Sequence, residues 1–363
     1  MRLPPPIHIH LLATACFVCG FGDSWSDSAR ADEQRPRQPI ELSLAAETTP
    51  VKCRAVRLQP TTAELDRTVV TAVAADPQGE FVAVAGDDHA IRILRTETMS
   101  VVQVLRGHRD MIRTLTFDPR GKKLVSAGND GQLIVWNRDD SFRIIQRMSD
   151  TPALVCVRFA ADGTEMAAVG FDNAVYIIGG KNRQRPVFHC DCRDLRCVEY
   201  RDDSKLLAVA GRSGNLHLFD PATGRLIGEH TLHRGRVRAM SFHRDSNTVV
   251  TVGEDGELVV FDTQNQKELR RVKVTSGKLF SVTTIDSQHV AVAGADNIVR
   301  IVNTDDAVVT QQLSGHQGSI PTLCASGGSL FSGGFDATLR RWSLGDAGSH
   351  QERIAESESR IDR

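Results

Sequence analysis

Aromatic side chains are scarce in this 363-residue chain: Phe, Tyr and Trp together make up 5%, with three Trp and two Tyr. A sugar- or base-stacking platform needs several flat aromatic faces, so neither is expected. A charge of one sign is lacking too. Lys and Arg number 44 against 45 Asp and Glu, a formal net charge of −1, so no bulk attraction to nucleic acid or anionic lipid is expected. Long hydrophobic runs are missing: the apolar stretch Leu11 to Gly22 covers 12 residues, short of the roughly 20 that cross a bilayer. No Ser-His-Asp order, paired-carboxylate signature or phosphate-cradling glycine loop stands out.

Behind Arg2, that short apolar stretch suits the core of a signal peptide, and Ala29-Arg30-Ala31 offers the small-x-small pattern of a cleavage site. Residues 1–31 are therefore expected to be a signal peptide cut after Ala31, giving an exported, periplasmic or extracellular protein. Residues 32–50 mix charge with proline and read as a flexible linker, and residues 344–363 read as a flexible C-terminal tail. The folded part is expected over residues 51–343.

One short pattern returns seven times within that part. Gly86, Gly128, Gly170, Gly211, Gly253, Gly294 and Gly334 recur at intervals of 40 to 42 residues. Two positions further on stand Asp88, Asp130, Asp172, Ser213, Asp255, Asp296 and Asp336. A β-rich apolar run precedes each glycine (FVAVAG, LLAVAG, VAVAG) and another follows each acid (LIVW, LVVF), which reads as a tight hairpin. A third run lies about 20 residues upstream of each glycine, and a fourth links each unit to the next. Four strands at a period of 40–45 residues describe one blade of a propeller.

Within this frame the chain resembles the WD-repeat β-propeller family over roughly residues 51 to 343. That family carries a His, a Ser or Thr, the hairpin Asp and a Trp as a hydrogen-bonded tetrad. The second unit matches it with His108, Ser126, Asp130 and Trp136, and the seventh with His316, Ser332, Asp336 and Trp342. The fifth keeps His233, Thr251 and Asp255 but has Phe261 for the Trp. Units one, three, four and six have Val84, Ala168, Val209 and Val292 at the hydroxyl position, so apolar packing is expected to replace the network there, leaving Asp88, Asp172 and Asp296 to cap turns. The expected fold is all-β: a seven-bladed propeller with four antiparallel strands per blade. Its seventh unit ends at its third strand, and Val51 to Leu58 is expected to supply the fourth, as the family's overlapping ring closure implies.

Six cysteines remain beyond the leader: Cys53, Cys156, Cys190, Cys192, Cys197 and Cys324. Cys53 on an outermost strand and Cys324 on an innermost one would stand roughly 14 Å apart, too far for a disulfide. Cys156 and Cys197 fall in a column with Ala72, Thr114, Ala239, Ser281 and Thr322 and read as small packing residues. His189, Cys190 and Cys192 could hold a soft metal, but without a fourth ligand a solvent-facing loop is the expected reading. His230 and His233 have His-x-x-His spacing, yet His233 already belongs to a tetrad. No metal and no cofactor are expected, and isolated acids such as Glu199 on the innermost strands do not make a catalytic set.

The positive expectation is a non-catalytic, monomeric protein-interaction scaffold. Phe171 and Phe335 stand at hairpin tips, and Arg67, Arg109, Arg193, Arg212, Arg234, Arg236 and Lys278 surround them. Apolar anchors within a basic rim suit an acidic protein or peptide partner. The alternative is an extracytoplasmic propeller enzyme, a metal-dependent hydrolase on the same ring.

Overall fold

The computed structural model describes residues 39–44, 50–61, 65–149, 151–179, 188–190, 192–244 and 246–344. The expected signal peptide, and the expected tail apart from Leu344, lie outside the described residues.

The strands form where β-branched and small apolar residues alternate between two covered faces. Seven four-stranded antiparallel sheets result, each a blade. The first blade runs from the inside outwards as Val70–Ala75, Phe81–Gly86, Ala90–Arg95 and Val101–Arg106. The other innermost strands are Ile112–Phe117, Leu154–Phe159, Leu195–Tyr200, Val237–Phe242, Leu279–Thr284 and Thr322–Ser326. Each second strand is buried along most of its length, because neighbouring blades cover both of its faces. The outermost strands keep only one covered face, and Val101, Val102 and Val104 are left exposed on the first of them. Among the described residues the only helical element is the short turn Arg138–Asp140.

The repeat glycine is dictated by close approach. A Cβ at Gly128, Gly170, Gly211 or Gly294 would stand closer than 3.0 Å to the carbonyl oxygen of Met111, Ala153, Asp194 or Lys278, just before the innermost strand of the same blade. The Asp two residues on closes the hairpin, and the residue after it turns left-handed, as at Gly131, Gly256 and Asn297.

The ring closes as a strand-for-strand match. Lys52–Arg57 pairs antiparallel with Thr338–Ser343 as the fourth strand of blade seven, with Cys53 opposite Trp342. Innermost strands touch at all seven junctions, blade seven against blade one included. The small-residue column contributes to these junctions. Thr322 Oγ1 accepts the Val73 amide at 3.2 Å, Thr114 Oγ1 the Val157 amide at 3.4 Å, and Ser281 Oγ the Leu323 amide at 2.9 Å. Cys156 likewise donates its thiol to the Val198 carbonyl at 3.7 Å. The column therefore does more than fill space, since its three hydroxyls and Cys156 tie their blades to the next, while the Cys197 thiol donates within its own blade to the Ala210 carbonyl at 3.7 Å.

One segment departs from the sequence reading. Residues 32–50 were expected to be a flexible linker, yet Ile40–Glu41 pairs in parallel with Lys267–Lys273 of blade five and Ser43–Leu44 with Val308–Leu313 of blade six. Outermost propeller strands offer unpaired N–H and C=O groups, and a two-residue contact suffices to use them. Leu42 between the two pairs rests on the apolar cluster of Val272 and Val309.

Candidate functional site

The hairpins between second and third strands, with the loops linking one blade to the next, form one face of the disc. Tetrads pin these hairpins. In blade two His108 Nδ1 lies 2.9 Å from Asp130 Oδ2, its Nε2 lies 2.7 Å from Ser126 Oγ, and Trp136 Nε1 donates to the same Oγ at 2.9 Å. Because the indole N–H donates to Oγ, the hydroxyl proton is free for Nε2, and the imidazole is neutral with its proton on Nδ1, facing the carboxylate. Blade seven repeats the set, with His316 Nε2 2.8 Å from Ser332 Oγ and Trp342 Nε1 2.9 Å from it. In blade five His233 bridges Asp255 at 3.0 Å and Thr251 at 2.9 Å, with Phe261 buried in place of the indole. Burial holds the His108 and His316 imidazoles below their ordinary value.

The blades without a tetrad do not rest on apolar packing alone. A donor four residues after the Asp takes over. Arg92 grips Asp88 at 2.5 Å, Tyr176 donates to Asp172 at 2.6 Å, and Arg300 meets Asp296 at 2.7 Å. Burial raises the Asp88 carboxyl, but the Arg92 guanidinium and the Thr61 amide outweigh it and hold the group below the usual carboxylate value. Burial, with Asp172 beside it, pushes the Tyr176 phenol up to about 12. In blade four Ser213 replaces the acid, and its amide donates to Cys192 Sγ at 3.3 Å.

Six innermost strands carry a bulge at their second residue, where two residues face one on the neighbouring strand. The bulged residues are Thr71, Arg113, Val155, Arg196, Arg238 and Phe280. Bulges re-aim side chains, and these reach the hairpin end of the central channel. Arg113 and Arg196 flank the Phe171 ring, their guanidinium carbons 5.8 and 4.6 Å from its centroid. Arg238 lies 5.0 Å over Phe280. Two acids thread the cluster: Asp194 meets Arg196 at 2.6 Å and Arg236 at 2.7 Å, while Glu254 meets Arg236 at 2.8 Å, Lys278 at 3.0 Å and Arg238 at 3.5 Å.

Comparison with known proteins agrees with this geometry. The family model described as "WD domain, G-beta repeat" matches residues 61–94 and 99–137, and the model for "Outer membrane protein assembly factor BamB" matches residues 212–336. Over its first two units the chain is similar to the WD-repeat β-propeller family. Autophagy-related protein 16 of Arabidopsis thaliana is 23% identical over 66% of this chain and 48% of its own length. The guanine nucleotide-binding protein subunit beta of Saccharomyces cerevisiae is 21% identical over 53% of the chain and 48% of its own. The human U3 small nucleolar RNA-associated protein 18 homolog is 34% identical over 31% of the chain and 21% of its own. The chain thus spans about half or less of the length of these curated relatives.

The propeller arranges the sequence-selected rim as follows. Arg67, Arg109, Arg193, Arg212 and Arg234 are exposed on the hairpin face. Arg236 and Lys278 are not free, since both are held by Glu254 and Arg236 also by Asp194. Phe171 and Phe335 are 38% and 43% exposed and stand on blades three and seven, with no contact joining them. Arg113, Arg196, Arg238 and Phe280 escaped the sequence reading. Their signal is the bulge position, the second residue of each innermost strand, which a plain inside-outside alternation hides.

The cysteine loop also differs from expectation. Cys190 and Cys192 are buried with Phe188, Val175 and Leu195, not solvent-facing, because Phe188 draws the loop onto blades three and four. Among the described residues no disulfide joins any of the six cysteines. Deeper in the channel Arg158 Nε donates to Glu199 at 2.9 Å, where burial raises the Glu199 carboxyl despite that partner. Among the described residues no three His, Cys, Asp or Glu side chains gather in a way that could hold a metal ion.

Proposed function

We propose that this WD-repeat propeller is a non-catalytic protein-interaction scaffold that holds a protein or peptide partner on its hairpin face. One observation carries the reading: two phenylalanines are displayed at hairpin tips in a chain that is 5% aromatic, one of them flanked by two half-buried arginines. Exposed aromatic and arginine side chains are the residue types that dominate binding energy in protein interfaces. The relatives support the same class. One is named as a subunit of a guanine nucleotide-binding protein and another, from Danio rerio, as a p21-activated protein kinase-interacting protein 1-like protein.

Replacing Phe171 and Phe335 together with Ser tests the reading. The melting temperature is expected to stay within a degree or two of the parent, because neither ring is buried, while retention of the native partner falls by roughly tenfold or more. A large drop in melting temperature would make the rings part of the core and remove them from the interface.

Export is part of the proposal. Arg2, the apolar stretch from Leu11 to Gly22 and Ala29-Arg30-Ala31 support a leader removed after Ala31. Intact-mass measurement on the protein from its native cells is expected to show a chain beginning at Asp32; a mature species retaining Arg2 would contradict export.

A further inference from the structure

Five cations meet at the hairpin end of the channel: Arg113, Arg196, Arg236, Arg238 and Lys278. Asp194 and Glu254 are the acids threaded among them, with Asp110 the further carboxylate facing Arg113. Five positive charges against three negative leave an excess of two on a chain whose overall charge is −1. Arg236 and Lys278 are tied to Glu254. The other three keep unused donors. Arg113 gives its Nε to Asn129 at 2.9 Å, and its terminal nitrogens have no partner among the described residues. Arg196 Nε is buried without a partner. Arg238 is held by a single 3.5 Å ion pair. Burial, with neighbouring guanidiniums adding to it at Arg196 and Arg238, holds all three below the ordinary arginine value. An unmatched, half-buried cluster of this kind is costly to keep and gains when an anion arrives.

We propose that the channel mouth framed by Arg113, Arg196 and Arg238 seats an acidic peptide segment of the partner. Its carboxylates take the free guanidinium edges, while its apolar atoms lie on Phe171 and Phe280. The inference rests on the reading of the hairpin face as the partner-binding surface and names the chemistry it selects. The Phe171 ring decides between an extended acidic chain and a compact oxyanion. Arg113 and Arg196 both pack on that ring, 5.8 and 4.6 Å from its centroid, so the seat sets an apolar face beside its charges. Acids spaced along an extended chain at about 3.3 Å per residue can reach the guanidiniums while the chain's apolar atoms cover the ring, and a phosphate has no apolar atoms to place there. Arg158 and Glu199 neutralise each other further down the channel, which places the positive end at the mouth.

The test is a titration of the full chain with a fluorescently labelled oligo-glutamate peptide, followed by anisotropy. The expected result is binding that weakens steeply with salt, roughly tenfold or greater loss in each of Arg113→Gln, Arg196→Gln and Arg238→Gln, and intermediate loss in the charge-retaining lysine variants. Arg143→Gln, on the outer strand of blade two, is expected to bind as the parent does. An oligo-glutamine peptide binding equally well, inorganic phosphate displacing the peptide at matched ionic strength, or Arg143→Gln costing as much as the mouth variants would each overturn the proposal. Melting curves accompany every variant, and where a glutamine variant does not fold, the lysine variant at that position is the one read. A second readout separates the two levels. A partner crosslinked at Phe335 in native cells and retained undiminished by the three variants would remove the acidic seat but leave the scaffold. Absence of any partner at the hairpin face would remove the scaffold itself.

Discussion

At the scale of the residue, the molecule solves one problem in two ways. A hairpin carboxylate held against the top of a sheet needs a donor, and blades two, five and seven supply a histidine while blades one, three and six supply a side chain four positions on. Only the first solution was visible in the sequence, because His and Trp are rare enough to be recognised at fixed spacing. Asp-x-x-x-Arg and Asp-x-x-x-Tyr look like chance until the third strand is known to double back over the acid. The histidine solution has a pH consequence. Burial depresses the His108 and His316 pKa values below the ordinary 6.5, so the unfolded chain takes up these protons first as pH falls. Their contribution is complete above about 6.5 and is lost below it, in the same direction as the loss at lower pH from the depressed Asp255 and Asp336 carboxyls. Urea midpoints are therefore expected to be flat above neutrality and to fall steadily as pH drops through about 6.5. A variant carrying His108→Gln and His316→Gln should fall less steeply; a midpoint that rises on acidification would refute the neutral-imidazole assignment.

At the scale of the element, the hairpins and innermost strands were legible and the edges were not. Gly-x-Asp at intervals of 40 to 42 residues marks hairpins because close backbone approach admits only glycine, and the strands on either side are long and apolar. The closing strand Lys52–Arg57 could be inferred from the want of a fourth strand after Trp342. Residues 40–44 could not: Ile40, Leu42 and Leu44 alternate for too short a stretch to read as strands, and they pair only because outer edges of blades five and six stand open. The bulges escaped notice for a related reason, since a one-residue slip in an innermost strand leaves the composition unchanged and turns an arginine to the channel mouth. These edges differ in weight. Deleting residues 51–60 removes six paired positions and leaves blade seven with an open edge, so soluble expression is expected to be lost. Deleting residues 39–44 breaks only four pairings and is expected to leave a folded ring. Soluble, folded protein from the 51–60 deletion would show that the ring does not depend on the seventh blade's closure.

At the scale of the whole molecule, closure makes the disc a rigid mount and the hairpin face its display. Six apolar clusters bridge neighbouring blades and a seventh joins blade seven to blade one, so a side chain on one hairpin is fixed relative to the next. The near-neutral overall charge leaves the basic mouth as a local feature, the seat that the proposal assigns to an acidic segment of the partner. Site-specific photo-crosslinking in native cells tests this most directly. A photoreactive residue is placed either at Phe171 on the hairpin face or at Asp162, an exposed turn at the opposite end of the same blade. The account predicts a discrete protein adduct from position 171 and none from position 162. Adducts from 162 alone, or none from 171, would contradict it.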